Sequence, residues 1–194
     1  MLRHGATPLG VDWSCAPTQH LRFVQLLKLI PRAVDFSIND IGCGYGALLG
    51  FLHRRRRGVL IDYLGVDLAP EMIDAAVKRN RRRSATFAVG RCAPRIADYS
   101  VASGIFNVKL AQDEDTWHGF IETSLDDMAA SSRHGFAVNF LAPQREGETG
   151  PAELHRADPQ RWIDHCRSRF GVIPTLVTGY GLREFTLLVP AARA

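Results

Sequence analysis

The sequence predicts an α/β fold: a seven-stranded, mostly parallel sheet with an antiparallel terminal strand and helices on both faces. Three observations carry this. Short apolar strand patterns alternate with helical periodicity along most of the chain, the pattern of βαβ units. Ser37-Ile38-Asn39-Asp40-Ile41 runs straight into Gly42-Cys43-Gly44-Tyr45-Gly46, so one strand ends in alternate glycines and a helical pattern opens at once. Finally, Gly179-Tyr180-Gly181 sits between two closing strand patterns, a hairpin signal that gives a mainly parallel sheet one antiparallel edge.

Taken in order, the spacing predicts a first helix over 17–30. Pro17 suits its first turn, Leu21, Val24, Leu27, Leu29 and Ile30 form its apolar stripe, and Pro31 stops it. Gln19 and Arg22 then fall on its polar side. Strand one covers 35–41 and is followed by a helix over 46–53 with Leu48, Leu49, Phe51 and Leu52 inward. Strand two covers 63–66 and ends at Asp67. Pro70-Glu71 opens the next helix, which runs to residue 79. Strands three and four cover 85–89 and 99–104, a helix covers 116–131, and strand five covers 136–141. Residues 142–159 are polar, rich in Pro, Gly and Glu, and long for a connection, which marks a functional or mobile insertion. A helix over 159–170 and strands over 175–178 and 183–189 complete the chain.

A length of 194 residues suits one domain, 1–194, with residues 1–31 as an N-terminal segment and 142–159 as an insertion loop. The net charge of +4 is concentrated at Arg54-Arg55-Arg56-Arg57 and around Arg79-Asn80-Arg81-Arg82-Arg83, where helical patterns end. Cations at helix C-termini offset the dipole, and those ends lie on the edge away from a ligand crevice. They read as solvated helix ends rather than a nucleic-acid surface, though such an edge could hold an acidic partner. No apolar run approaches the ~20 residues a membrane helix needs, and no apolar leader opens the chain. Cys15, Cys43, Cys92 and Cys166 are scattered. That excludes a zinc ribbon and fits a reducing cytoplasm. No His/Cys/Asp spacing forms a metal site, so no metal is expected.

The glycine turn is a place for a nucleoside-containing cofactor, because glycine lets backbone approach a ligand closely. Asp67 at the end of strand two can accept hydrogen bonds from both ribose hydroxyls. Leu68 to Ile73, with Leu68 and Met72 foremost, can wall an adenine. Gly42-x-Gly44-x-x-Ala47 also fits the dinucleotide fingerprint, so NAD(P) competes. Asp40 points elsewhere: a carboxylate two residues before the first glycine can pair with the amino group of an amino-acid moiety. S-adenosylmethionine has that group and NAD lacks it.

Asp40-Ile41-Gly42-Cys43-Gly44-Tyr45-Gly46 resembles the acidic-x-Gly-x-Gly-x-Gly motif of class I S-adenosylmethionine-dependent methyltransferases. Gly65-Val66-Asp67-Leu68-Ala69-Pro70-Glu71-Met72-Ile73 is similar to the superfamily's second motif, and the closing hairpin fits its Rossmann-like sheet. Further stretches, including His4-Gly5, Gly10-Val11-Asp12-Trp13, Ala102 to Asn107, Gly135 to Leu141 and Tyr180 to Thr186, resemble a little-characterised bacterial branch. The resemblance implies S-adenosylmethionine as cofactor, bound by Asp40, Gly42, Cys43, Gly44, Gly46, Asp67, Leu68 and Met72, with Ser103 beside it. It places Trp13 over the pocket as a lid in segment 1–31, with Gln19 and Arg22 within reach of the methionine carboxylate. After strand three this chain has Gly90-Arg91-Cys92 where many relatives carry Gly-Asp. Arg91 cannot accept a hydrogen bond, so adenine recognition shifts to backbone near Arg91 and Cys92 or to a side chain elsewhere.

The acceptor belongs beyond strands four and five. Asn107 and Lys109 could orient a polar substrate, and His4 is the best-placed base. Asn139 reads equally as a site residue or a buried structural amide, and Trp117 as core. The expected acceptor is a small molecule. The rivals are an NAD(P)-dependent oxidoreductase, which lacks a visible Tyr/Lys or His catalytic set, and a non-catalytic protein of the same fold that binds a partner through its arginine-rich edge.

Overall fold

The computed structural model describes residues 16–81, 85–145 and 147–192. The chain runs α1 (Ala16–Leu26, continued by a 3-10 turn Leu27–Leu29), β1 (Phe36–Ile41), α2 (Ala47–Arg55), β2 (Ile61–Asp67), α3 (Pro70–Arg79), β3 (Thr86–Val89) and β4 (Ala97–Ala102). It continues α4 (Glu114–Ala130), β5 (Ser132–Leu141), α5 (Pro159–Phe170), β6 (Thr175–Val177) and β7 (Glu184–Pro190). The strand order is β3-β2-β1-β4-β5-β7-β6. Every neighbouring pair from β3 to β5 is parallel, and β7 enters antiparallel between β5 and β6. The antiparallel strand therefore lies one place inside the edge, with β6 covering it. Chain direction and alternation dictate this arrangement, because β6 and β7 are joined by a short loop that can only form a hairpin.

Each sheet face has its own core, as the strand alternation requires. On one face Ile41, Val66, Phe136, Val138, Phe140, Phe185 and Leu187 meet Ile121, Leu125 and Met128 of α4 and Trp162 and Cys166 of α5. On the other, Phe36, Ile38, Tyr63 and Val101 meet Phe23 and Leu26 of α1 and Leu48, Leu49 and Leu52 of α2. α3 packs along β2 and β3. Pro at the first turn opens α3 and α5, and the Asp113 and Asp158 carboxylates cap α4 and α5 by accepting from Thr116 and Gln160 N–H.

Helix α1 corrects the expected stripe. Leu21 is exposed, and the buried side carries Phe23, Leu26 and Leu27 together with Gln19, Arg22 and Gln25. Burying Gln19 and Arg22 is tolerable because both are paired. The Arg22 guanidinium is ion-paired with Glu184 at the start of β7, and Tyr45 Oη donates to Gln19 Oε1 at 3.1 Å.

The arginine run after α2 is not wholly solvated either. Arg56 is 8% exposed and donates to the Pro31 carbonyl at 2.7 Å and the Ile30 carbonyl at 2.9 Å. These carbonyls close the end of the first helical segment, where no further backbone N–H follows to satisfy them. Replacing Arg56 with Met should therefore lower unfolding free energy by about 1–3 kcal/mol in urea denaturation. Arg57→Ala, on the exposed side of the same run, should change it by less than ~0.5 kcal/mol.

Candidate functional site

At the C-terminal ends of β1, β2 and β4 a cleft of about 700 Å³ opens. This is the carboxyl edge where open α/β sheets bind ligands. The first wall is the turn after β1. Gly42, Gly44 and Gly46 all adopt positive φ, at 70°, 53° and 74°. A Cβ on Gly42 would stand 2.1 Å from Ile105 Cγ2, and one on Gly46 would stand 2.6 Å from Asn80 Nδ2. Both the backbone conformation and the space thus require glycine. The turn is bolted to β2: Gly42 and Cys43 N–H donate to the Val66 carbonyl at 2.8 and 3.0 Å, Gly44 N–H to Asp67 Oδ2 at 2.8 Å, and Gly46 N–H to the Cys43 carbonyl at 3.0 Å. Four of the turn's N–H groups are thus engaged inside the protein.

Asp40 lies at the cleft end of β1, 3% exposed, and accepts from Tyr63 Oη at 2.5 Å. Among the described residues it has no cationic partner. Burial pushes its carboxyl up to about 7, against the opposing Tyr63 hydrogen bond and with help from nearby Asp67. Burial, with Asp40 and Asp67 close by, also raises the Cys43 thiol. Asp67 stands at the end of β2, its second oxygen accepting from Ala69 N–H at 3.0 Å.

Of the residues the sequence points to, Gln19, Asp40, Gly42, Cys43, Gly44, Asp67, Leu68, Met72, Arg91 and Ser103 line this one cleft. Gly46 sits behind it, packing α2 against Asn80 and Phe87. Cys92 is exposed and outside the lining. Arg22 is also outside it, because Glu184 holds its guanidinium in the interior; the polar-side placement that aimed it at a methionine carboxylate does not hold. His4 and Trp13 lie outside the described residues. Asn107 is 8% exposed with its Oδ1 unpartnered among the described residues, next to rather than on the lining.

Three features gain a definite place that the sequence left open or read otherwise. Asn139 accepts from Gly104 N–H at 2.9 Å and donates to Glu184 Oε2 at 3.1 Å. It is a structural amide that links the Arg22–Glu184 pair to the turn after β4. Trp117 is not simply core: it lines the cleft with Ile105, Val108, Leu110 and Phe120, and its Nε1–H is anchored to the Phe106 carbonyl at 3.2 Å. Its position one turn before Ile121 on an amphipathic helix was the available signal. Third, the insertion at 142–158 returns to the site. Val108 bridges Leu154, and Lys109 and Leu110 N–H both donate to the Glu153 carbonyl. Leu110 is the one described non-glycine residue with positive φ, 54°, so this loop holds a strained conformation beside the cleft.

The cleft and topology find counterparts among known proteins. A family model described as "Methyltransferase domain" matches residues 38–131. A Mycobacterium tuberculosis protein named "Putative methyltransferase Rv1506c" is 44% identical over 167 residues, covering 86% of this chain and 99% of its own length.

The chain belongs to the class I S-adenosylmethionine-dependent methyltransferases.

Its fold is shared with magnesium protoporphyrin IX methyltransferase of Synechocystis, solved with bound SAH (TM-score 0.63, 13% identity, 91% of this chain and 84% of that one). Human N-acetylserotonin methyltransferase, solved with SAM, also shares it (TM-score 0.65, 17% identity, 91% and 53%). This methyltransferase uses S-adenosylmethionine. The site fits that cofactor: a buried acid with no cationic partner among the described residues faces the cleft beside the glycine turn. No helix among the described residues is long and apolar enough to cross a membrane.

Burying the Asp40 carboxyl has a measurable cost when no cofactor is bound. The folded-state carboxyl near 7 lies above its ordinary value of 3.8, so the folded chain binds the extra proton and stability falls as pH rises through that window. Asp40→Asn should therefore melt several degrees above the parent at pH 8. The gain should vanish by pH 4, as read by calorimetric melting across pH.

Proposed function

We propose that this methyltransferase transfers the methyl group of S-adenosylmethionine to a small, largely apolar acceptor that presents one nucleophilic atom, working as a single cytoplasmic domain over 1–194. The observation that carries it is the division of the cleft. One end holds Asp40 and the glycine turn, and the other is built from Ile105, Val108, Leu110, Trp117 and Phe120. In this reading the Asp40 carboxylate receives the cofactor's ammonium, Asp67 its ribose hydroxyls, and Leu68 and Met72 its adenine. Backbone at Gly90 and Arg91 completes the adenine side, since both line the cleft. Gln19, oriented by Tyr45, faces the methionine end.

S-adenosylmethionine supplies an activated methyl group, so the protein's task is alignment and exclusion of water. The Trp117 ring, fixed through its Nε1–H, presents a flat face to an acceptor. Ser103 lines the cleft, and its Oγ is buried with no hydrogen-bond partner among the described residues. In this reading it turns toward the acceptor's nucleophilic atom when the acceptor binds, with the neighbouring buried Asn107 Oδ1 as a second candidate. The names of the magnesium protoporphyrin IX and N-acetylserotonin enzymes, both small-molecule methyltransferases of this fold, support the acceptor class.

The test is methyl transfer from labelled S-adenosylmethionine to a panel of small aromatic and aliphatic alcohols, amines and acids, with total RNA and a protein extract in parallel. Label should enter a small molecule. For that acceptor, Trp117→Ala should raise KM at least tenfold, the loss of roughly 1.4 kcal/mol or more of aromatic contact, and leave cofactor Kd within about twofold. Label entering only RNA or protein would refute the acceptor class.

A further inference from the structure

Behind the acceptor wall, outside the cleft lining, Glu114, His118 and His155 converge. Each offers one donor atom, and the three atoms lie within 4.8 Å of one another. Glu114 and His118 are one turn apart in the first part of α4 and so share a face of that helix. His155 arrives from the returning segment, positioned by its own N–H on the Asn107 carbonyl at 3.0 Å.

Both imidazoles approach the same carboxylate oxygen. Glu114 Oε2 lies 3.2 Å from His155 Nδ1 and 3.6 Å from His118 Nε2, while Oε1 faces Lys109 Nζ at 3.4 Å. Two donors each ~2.05 Å from a tetrahedral zinc ion stand about 3.3 Å apart. The two measured edges bracket that spacing.

The second observation is His155 itself. It is 3% exposed, and among the described residues neither of its ring nitrogens forms a hydrogen bond. Nδ1 reaches Glu114 Oε2 in distance but not in hydrogen-bond direction. Burying an imidazole with Nε2 unpartnered and Nδ1 held only by a poorly directed contact costs free energy that a native fold normally avoids. A lone pair bound to a cation removes that cost for one nitrogen. The ring edges of His118 and Trp162 close the cluster, with His118 packed 5.4 Å from His155 and 5.8 Å from Trp162, centroid to centroid.

We propose that Glu114, His118 and His155 form a three-ligand site for one divalent transition-metal ion of the zinc class. The donor set, two imidazoles and one carboxylate, suits Zn²⁺, Co²⁺ or Ni²⁺ better than Mg²⁺ or Ca²⁺, which prefer all-oxygen shells. Water takes the remaining position. The ion clamps two segments, the start of α4 and the returning insertion, and the insertion is paired in turn with the loop after β4 through Val108–Leu154 and the Glu153 carbonyl. Those segments carry Val108, Leu110 and Trp117, so metal binding orders the acceptor wall without touching the cofactor end. Sequence spacing hides the site, because His155 lies far along the chain from the Glu114–His118 pair and only the fold joins them.

Chelator-treated full-length protein should be titrated with Zn²⁺ and, for its visible spectrum, with Co²⁺, following melting temperature and bound metal. One ion per chain should bind, with the tetrahedral Co²⁺ absorption and a melting shift of about 5 °C or more at saturating metal. Mg²⁺ and Ca²⁺ should give no shift. His118→Asn, near the surface and tolerant of change, and His155→Gln should each weaken binding at least tenfold, with S-adenosylmethionine affinity retained. Cys92→Ser, which removes the exposed thiol, should leave metal binding intact. Absence of saturable Zn²⁺ or Co²⁺ binding in the parent chain would overturn the site, as would full binding retained in His118→Asn and Glu114→Gln or lost in Cys92→Ser. Any of these results would leave the S-adenosylmethionine site unaffected.

Discussion

A carboxyl group buried at the end of β1, with no cationic partner among the described residues, is the constraint on which this site is built. Asp40 can be there because Tyr63, two residues below its register partner Gly65 on β2, donates a hydrogen bond from the next strand. One hydrogen bond does not replace the hydration of a full charge, so the Asp40 carboxyl is pushed up to about 7. A ligand that brings an ammonium group pairs with it. The glycine turn follows from the same geometry: left-handed backbone at Gly42, Gly44 and Gly46 turns the chain away from β1 so quickly that the space above Asp40 stays open.

The opposite side of the sheet end is held by a buried relay. Arg22 of α1 pairs with Glu184 of β7, Glu184 accepts from Asn139 of β5, and Asn139 accepts from Gly104 N–H in the turn after β4. The relay runs from the first helix through the last strand to the loop that forms the acceptor wall. Removing Arg22 would leave the Glu184 carboxylate buried without its guanidinium, which costs more than the pair contributes. The inserted β7 thus has two roles, hiding the edge of β5 and supplying the acid that fixes the cleft's floor.

Much of this was legible in the sequence because it is local. The Asp40–Gly46 turn, the Asp67 that follows β2, the Pro70 helix start and the closing hairpin each declare themselves within a few residues. What escaped was non-local. Arg22 and Gln19 look like the wet side of a helix until Glu184 and Tyr45, both distant in sequence, provide partners that allow them to be buried. Arg56 looks like one more solvated arginine until the fold brings the carbonyls of residues 30 and 31 to it. Trp117 satisfies a core pattern and a cleft pattern equally, and only the position of α4 over the strand ends separates them. Gly46 belongs to the motif but serves packing, a distinction visible only when Asn80 and Phe87 are in place.

The claim that a buried, partly protonated Asp40 receives the cofactor's ammonium is tested most directly by proton release. Titration calorimetry of S-adenosylmethionine at pH 6.5, in buffers of different ionisation enthalpy, counts the protons exchanged on binding. With the carboxyl near 7 before the cofactor binds, binding should release about 0.75 proton, and Asp40→Asn should abolish both the release and most of the affinity. Binding heats independent of buffer, or unchanged affinity in Asp40→Asn, would contradict the account.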